Sequence, residues 1–151
     1  MKPIIALRTI KAPLNFVFRT VSDVRNFRKA VPHITNVEFL SDQQQGIGTR
    51  FRETRMMNGR EHAVDLEVAE YVENERVRMI SDAGGTIWDT LFTVSRLGDD
   101  VELKMQMDVR PYRVLARIMN VLIRGMVVKG VESDLDAVKS FCEAGDRPAE
   151  I

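Results

Sequence analysis

Apolar and polar residues alternate through residues 50–109, and the alternation is broken by Asn58-Gly59, Asn74-Glu75, Gly84-Gly85 and Gly98-Asp99. Period-two alternation between turn signals marks strands with one buried face. Asn-Gly is the strongest two-residue hairpin signal. A tip at Asn58-Gly59 sets Arg52 opposite Asp65 and Arg50 opposite Glu67 on one face, with Phe51 opposite Leu66 and Glu53 opposite Val64 on the other. Opposite-charge cross-strand pairs add about 0.2–1 kcal/mol each, so this register is self-consistent. A tip at Asn74-Glu75 opposes Val72 with Val77 and Glu70 with Met79. A tip at Gly84-Gly85 opposes Ser81 with Trp88, Met79 with Thr90 and Val77 with Phe92. The last tip opposes Val94 with Leu103, Phe92 with Met105 and Thr90 with Met107. A one-residue slip would invert the faces, and the four hairpins agree on one inner surface. It carries Val68, Val72, Val77, Met79, Trp88, Phe92 and the row from Val101 to Val109. One pair fits poorly: Asp89 opposite Asp108.

Upstream, Ile4–Ile10 is a short β-branched segment ending at Lys11-Ala12-Pro13, and Pro13 suits a first helical position because its missing N–H needs no partner there. Phe16, Val17, Thr20 and Val21 then recur at helical spacing, and a second short helix around Val24–Ala30 stops before Pro32. Residues 112–143 carry one long helical pattern, and Gly145-Asp146-Arg147-Pro148 reads as a frayed tail. Strand, two helices, a run of strands and a closing helix give an α+β layout with an antiparallel sheet. The expected organisation is one domain over 1–144 and a flexible tail over 145–151.

The long helix holds a conflict. At about 100° per residue, Leu115, Ile118, Met119, Leu122 and Met126 share one side, with Arg113, Arg117 and Arg124 opposite. Beyond Gly125 the apolar set becomes Val127, Val131, Leu135, Val138 and Cys142, centred near the earlier arginine side. A straight helix cannot bury both stripes against one sheet, so the pattern predicts a kink, bulge or break between Gly125 and Gly130. The first half then either re-aims its apolar side inward or forms a cationic amphipathic lid for a membrane surface or a partner.

Composition narrows the function classes. The 151 residues are 44% hydrophobic and 29% charged, with 22 basic and 22 acidic side chains. This suffices for one folded domain with a sizeable core. Zero net charge disfavours a nucleic-acid binder acting through bulk electrostatics. One cysteine, Cys142, makes no internal disulfide and points to a reducing, cytoplasmic setting. Only four apolar residues run together before Arg8, too few for the core of a secretory signal. Arg117 and Arg124 interrupt the longest apolar stretch, so no membrane span is expected.

Several motifs together resemble the SRPBCC superfamily. They are Ala12-Pro13 with Val17-Phe18, then Val21-Ser22-Asp23, then Gly46-Ile47-Gly48-Thr49, and a closing helix ending Leu135-Asp136-Ala137-Val138-Lys139. The resemblance covers residues 3–143. That superfamily includes START lipid-transfer domains, the major birch-pollen allergen, coenzyme-Q-binding proteins and polyketide cyclase/dehydrase-like proteins, the group this chain is most similar to. The resemblance implies a helix-grip fold, in which a curved antiparallel sheet wraps a long C-terminal helix with an apolar cavity between them. It leaves the chemistry open.

The inner surface is therefore the candidate site. Met79, Met105 and Met107 gather with Trp88 and Phe92, an adaptable lining suited to an apolar ligand. Phe51, Leu66, Thr90, Leu122 and Met126 complete the expected lining. The inner polar positions are Glu53, Arg55, His62, Glu70, Ser81 and Thr90. Glu53, Arg55 and His62 cluster near the Asn58-Gly59 tip. They could bind a carboxylate or a polar head group, or His62 or Glu53 could serve as an acid–base; a wet rim is the plainer alternative. Two histidines without ligand spacing predict no metal. Gly46-Ile47-Gly48 lacks the full phosphate-loop pattern, and no cofactor is implied. Three classes remain: a carrier of a lipid, isoprenoid or polyketide-like molecule; a cyclase or dehydratase; and a protein-interaction module docking through 112–126.

Overall fold

The computed structural model describes residues 2–145. Among these, seven strands form one antiparallel sheet: β1 (Ile4–Ile10), β2 (Ile34–Phe39), β3 (Arg50–Met57), β4 (Arg60–Val72), β5 (Arg76–Ala83), β6 (Thr86–Leu97) and β7 (Asp100–Pro111). Helices α1 (Leu14–Ser22) and α2 (Val24–Ala30) connect β1 to β2, and α3 (Val114–Gly145) closes the chain. The sheet order is β1-β7-β6-β5-β4-β3-β2, so β1 pairs with β7 across the length of the domain. The expected tail begins at Gly145, the last residue of α3; 146–151 lie outside the described residues.

Three hairpins take the register their turn residues dictate. Phe51 faces Leu66 and Arg55 faces His62 across a tip where Asn58 and Gly59 have φ of 52° and 75°, the left-handed pair that a type I′ turn requires. Ser81 faces Trp88, Phe92 faces Met105, and Asp89 does face Asp108. That pair is tolerated because the Asp89 carboxylate accepts hydrogen bonds from Arg78 and Arg110.

The β4–β5 turn departs from expectation. Asn74 alone takes a positive φ, 60°, and the loop holds three residues, so Val72 pairs with Arg76 and Tyr71 with Val77. A bulge between Val68 and Glu70 absorbs a further residue and sets Val68, in place of the expected Glu70, opposite Met79. Between turn and bulge the faces are exchanged. Tyr71 points inward, packing edge-on against Phe18 at 5.4 Å. Glu70, expected inside with Val72, instead bonds Arg76 on the outer face.

Pro13 sits one position earlier than expected, as the N-cap of α1, its carbonyl accepting from the amides of Phe16 and Val17. Asp23 caps α2 by accepting from the Arg25 amide at 2.9 Å. Both helices press Val17, Phe18, Val21, Val24 and Phe27 onto the sheet. The C-terminal half of α3 buries Val131, Leu135, Val138 and Cys142 in the same core.

The expected break in α3 is absent: the helix runs without interruption through Gly125 and Gly130. Helical phase is therefore continuous, and the buried side set by Val131, Leu135 and Val138 extends back to Ala116 and Asn120. The apolar stripe at Leu115, Ile118, Met119 and Leu122 is left facing outward. The conflict between the two stripes is resolved by exposure rather than by a bend into the interior.

Candidate ligand cavity

The core is solid at one end and hollow at the other. Ile10, Phe18, Leu103, Leu135 and Val138 pack into the solid end. Between the sheet, α2 and the middle of α3 lies a cavity of about 310 Å³, near the lower end of the range of about 300–1,000 Å³ that small-molecule sites occupy. Phe51, Leu66, Met79, Trp88, Phe92, Met105 and Met107 line it from the sheet, and Val21, Val24 and Phe27 from the short helices. Met126, Val127, Gly130 and Val131 line it from α3.

Of the residues expected at the site, Phe51, Glu53, Arg55, His62, Leu66, Met79, Trp88, Thr90, Phe92, Met105, Met107 and Met126 all reach the cavity. Leu122 does not. It is 72% exposed on the outward stripe of α3, because the helix keeps its phase instead of bending.

The polar end is built by long-range ion pairing. The Arg55 guanidinium donates through Nε to Glu53 Oε1 at 2.5 Å and grips Asp134 on α3 with its two terminal nitrogens at 3.0 and 2.9 Å. Glu53 and Asp134 are buried, and the Arg55 side chain is 23% exposed. Burial alone would lower the Arg55 pKa, but the charges and hydrogen bonds of Glu53 and Asp134 outweigh it and hold the guanidinium above its ordinary value. One cation thus sits between two carboxylates, leaving excess negative charge and free acceptor lone pairs toward the cavity. His62, across from Arg55 on β4, is exposed at the open edge.

A second polar point lies on the central strands. Ser81 is 5% exposed, and its Oγ has no hydrogen-bond partner among the described residues. A buried hydroxyl left unpaired costs about 1–3 kcal/mol, so an occupant able to bond it gains on entering. Trp88 Nε1 is turned aside to the Ala83 carbonyl at 3.3 Å. Cys142 lies away from the cavity, fully buried; burial pushes its thiol pKa up, and its Sγ lies 3.5 Å from Thr20 Oγ1.

Asp134, like Val127, Gly130 and Val131 before it on α3, was not anticipated at the site. A signal existed: Asp134 lies one helical turn past Val131 and beside Leu135, on the side the apolar spacing buries. An acid placed there calls for a cation, which Arg55 supplies.

Comparison with known proteins places this geometry. A family model described as polyketide cyclase / dehydrase and lipid transport matches residues 6–143. The chain belongs to that family. No curated protein matches the sequence. Among solved structures, this family member is similar to a protein of Thermus thermophilus (18% identity, TM-score 0.78, covering 96% of this chain and 99% of that one). It is also similar to a START superfamily protein from Mycobacterium smegmatis (15%, TM-score 0.76, 95% and 99%). A third is the di-domain ARO/CYC StfQ of the steffimycin biosynthetic pathway (9%, TM-score 0.74, 95% of this chain and 52% of that one). At these identities the likeness establishes the helix-grip fold. Among the described residues, no helix is long and apolar enough to cross a membrane.

Proposed function

We infer that the protein binds and carries a hydrophobic small molecule of the lipid, isoprenoid or polyketide-like kind, in the cavity between sheet and α3. The carrying observation is the hollow itself: methionines and aromatics surround space that the core leaves unfilled. Each 100 Å² of apolar ligand surface covered there contributes about 2.5 kcal/mol of affinity. Phe51, Leu66, Met79, Phe92, Met105 and Met107 form the apolar sleeve, with Met126 at its rim. Glu53 and Asp134, polarised around Arg55, receive a hydrogen-bond donor from the polar end. Because Arg55 is already committed to two carboxylates, a hydroxyl or phenol suits this end and an anionic carboxylate head does not.

A neutral fluorescent probe, N-phenyl-1-naphthylamine, tests the reading. It should bind one per chain, and Met105→Trp should weaken it at least tenfold while the circular dichroism spectrum is kept. At pH 8, 1-dodecanol should displace the probe at concentrations at least tenfold below dodecanoate. Absence of saturable binding would sink the carrier reading, and equal displacement would sink the assignment of the polar end.

The family description and the ARO/CYC structure keep an acid–base cyclase or dehydratase in view. It has less support here. Glu53 is engaged by Arg55, and His62 stands exposed at the rim rather than over the cavity floor. The last strand offers only Val101, Leu103, Met105, Met107 and Val109 to the interior.

A further inference from the structure

We propose that the outward face of the first half of α3, together with the β3–β4 tip, docks on the surface of an anionic phospholipid bilayer.

The helix is mounted with its apolar side toward water. Exposure runs from 46% at Met119 through 55% at Ile118 to 72% at Leu115 and Leu122. Two of the nearby arginines point away from this stripe, Arg113 leaning on Gly85 and Arg124 half-buried, while exposed Arg117 borders the outward face beside Val114 and Val121, 76% and 65% exposed. A helix free to choose would turn the other way, but its phase is dictated by Val131, Leu135 and Val138 in the same unbroken rod. A contiguous apolar face held outward marks an interaction surface.

Charge selects the occupant. From Val109 to Val131 the chain has no acidic residue, whereas Arg110, Arg113, Arg117, Arg124 and Lys129 fall within it. The acidic residues of α3, Glu132, Asp134, Asp136 and Glu143, all lie in its second half. Exposed Arg117, beside Val114 and Val121, and exposed Lys129, one turn past Met126, complement a surface with anionic head groups and an apolar interior. A second copy of the chain would bring these cations against their own symmetry mates.

The surface is not confined to one element. Met56 and Met57 at the end of β3 are 41% and 42% exposed. The neighbouring Asn58 side-chain amide lies 3.7 Å from Met126 Sδ, joining hairpin tip to helix. Met57 and Met126 also line the cavity, so its mouth opens where the bilayer would sit.

Co-sedimentation with vesicles decides the matter. The intact protein should bind phosphatidylcholine vesicles containing 30% phosphatidylserine at least tenfold more strongly than pure phosphatidylcholine. Salt at 0.5 M should remove most of that difference. The double variant Leu115→Glu/Leu122→Glu changes only exposed positions and should lose at least tenfold in binding with an unchanged melting temperature. Met105→Trp, which fills the cavity, should still dock, so failure of the carrier reading would leave this proposal standing. Equal binding to neutral and anionic vesicles would overturn it. So would no vesicle binding, with or without concentration-dependent dimers in sedimentation velocity.

Discussion

Replacing Arg55 by Met removes the one cation between two buried carboxylates. The Glu53 and Asp134 side chains are 10% and 9% exposed, so neither can recover full hydration when the guanidinium leaves. Breaking a buried pair by deleting one partner costs about 3–5 kcal/mol. Arg55 is itself 23% exposed, which admits some water and puts the expected loss near the lower end, at about 3 kcal/mol. For a chain of this length that corresponds to a melting temperature lower by roughly 6–12 °C. The control is the triple variant Glu53→Met/Arg55→Met/Asp134→Leu. It removes the whole cluster, leaves no stranded charge, and should lie within about 1 kcal/mol of the parent protein, since well-packed apolar replacements of buried ion pairs are often neutral or better. Urea unfolding at pH 7 with unchanged m-values measures both. If Arg55→Met costs under about 1 kcal/mol, or the triple variant loses as much as the single, the cluster is a solvated rim and the argument about the polar end fails.

Two further outcomes follow from the geometry. The Arg78 hydrogen bond is the largest influence holding the Asp89 carboxyl below the usual range, and the Asp89 side chain is 2% exposed. A folded value below the unfolded one means stabilisation present above about pH 4 and lost as pH falls through the folded value. Asp89→Asn should therefore cost about 1–2 kcal/mol at pH 7, with the gap to the parent closing below about pH 4. A gap constant from pH 7 to 3 in urea titrations contradicts this. At the β5–β6 turn, Gly84 and Gly85 have φ of +63° and +81°, but a Cβ on Gly85 would meet Arg113 Cδ at 2.9 Å while one on Gly84 meets nothing within 4 Å. Both alanine variants incur the left-handed cost of about 1–2 kcal/mol, and Gly85→Ala should lose more in thermal melts. Equal losses would mean that the Arg113 contact constrains nothing.

The sheet was legible wherever a turn declares its own length. Asn58-Gly59 and Gly84-Gly85 supply two consecutive residues with positive φ, and a two-residue loop fixes the pairing of every residue beyond it. Gly98-Asp99 keeps a two-residue loop with only Gly98 at positive φ, as glycine first in the turn allows, whereas Asn74-Glu75 has no glycine and its loop takes a third residue. Local pattern does not reveal that, nor the bulge at Ala69. The two departures cancel in parity, which is why Leu66, Val68 and Met79 still face inward, while between turn and bulge Tyr71 turns inward and Glu70 and Val72 turn outward. The edge pairings β1–β7 and β2–β3 have no tight turn and were not written in any short motif.

The site was half legible for a different reason. Strand faces follow from alternation alone, so the sheet side of the cavity could be read. The helix side depends on which of two competing apolar stripes wins, and periodicity gives their phases but not their energies. Val131, Leu135, Val138 and Cys142 win because they insert between β1, α1 and the closing strands, where exposure falls to 4% or less. Burying one such side chain is worth about 1.5–3 kcal/mol, and in an unbroken helix that can bury only one side, four of them outweigh the cost of leaving Leu115, Ile118 and Leu122 in water. The same arithmetic gives the outward stripe a standing incentive to be covered, at the edge where Met57 and Met126 open the cavity.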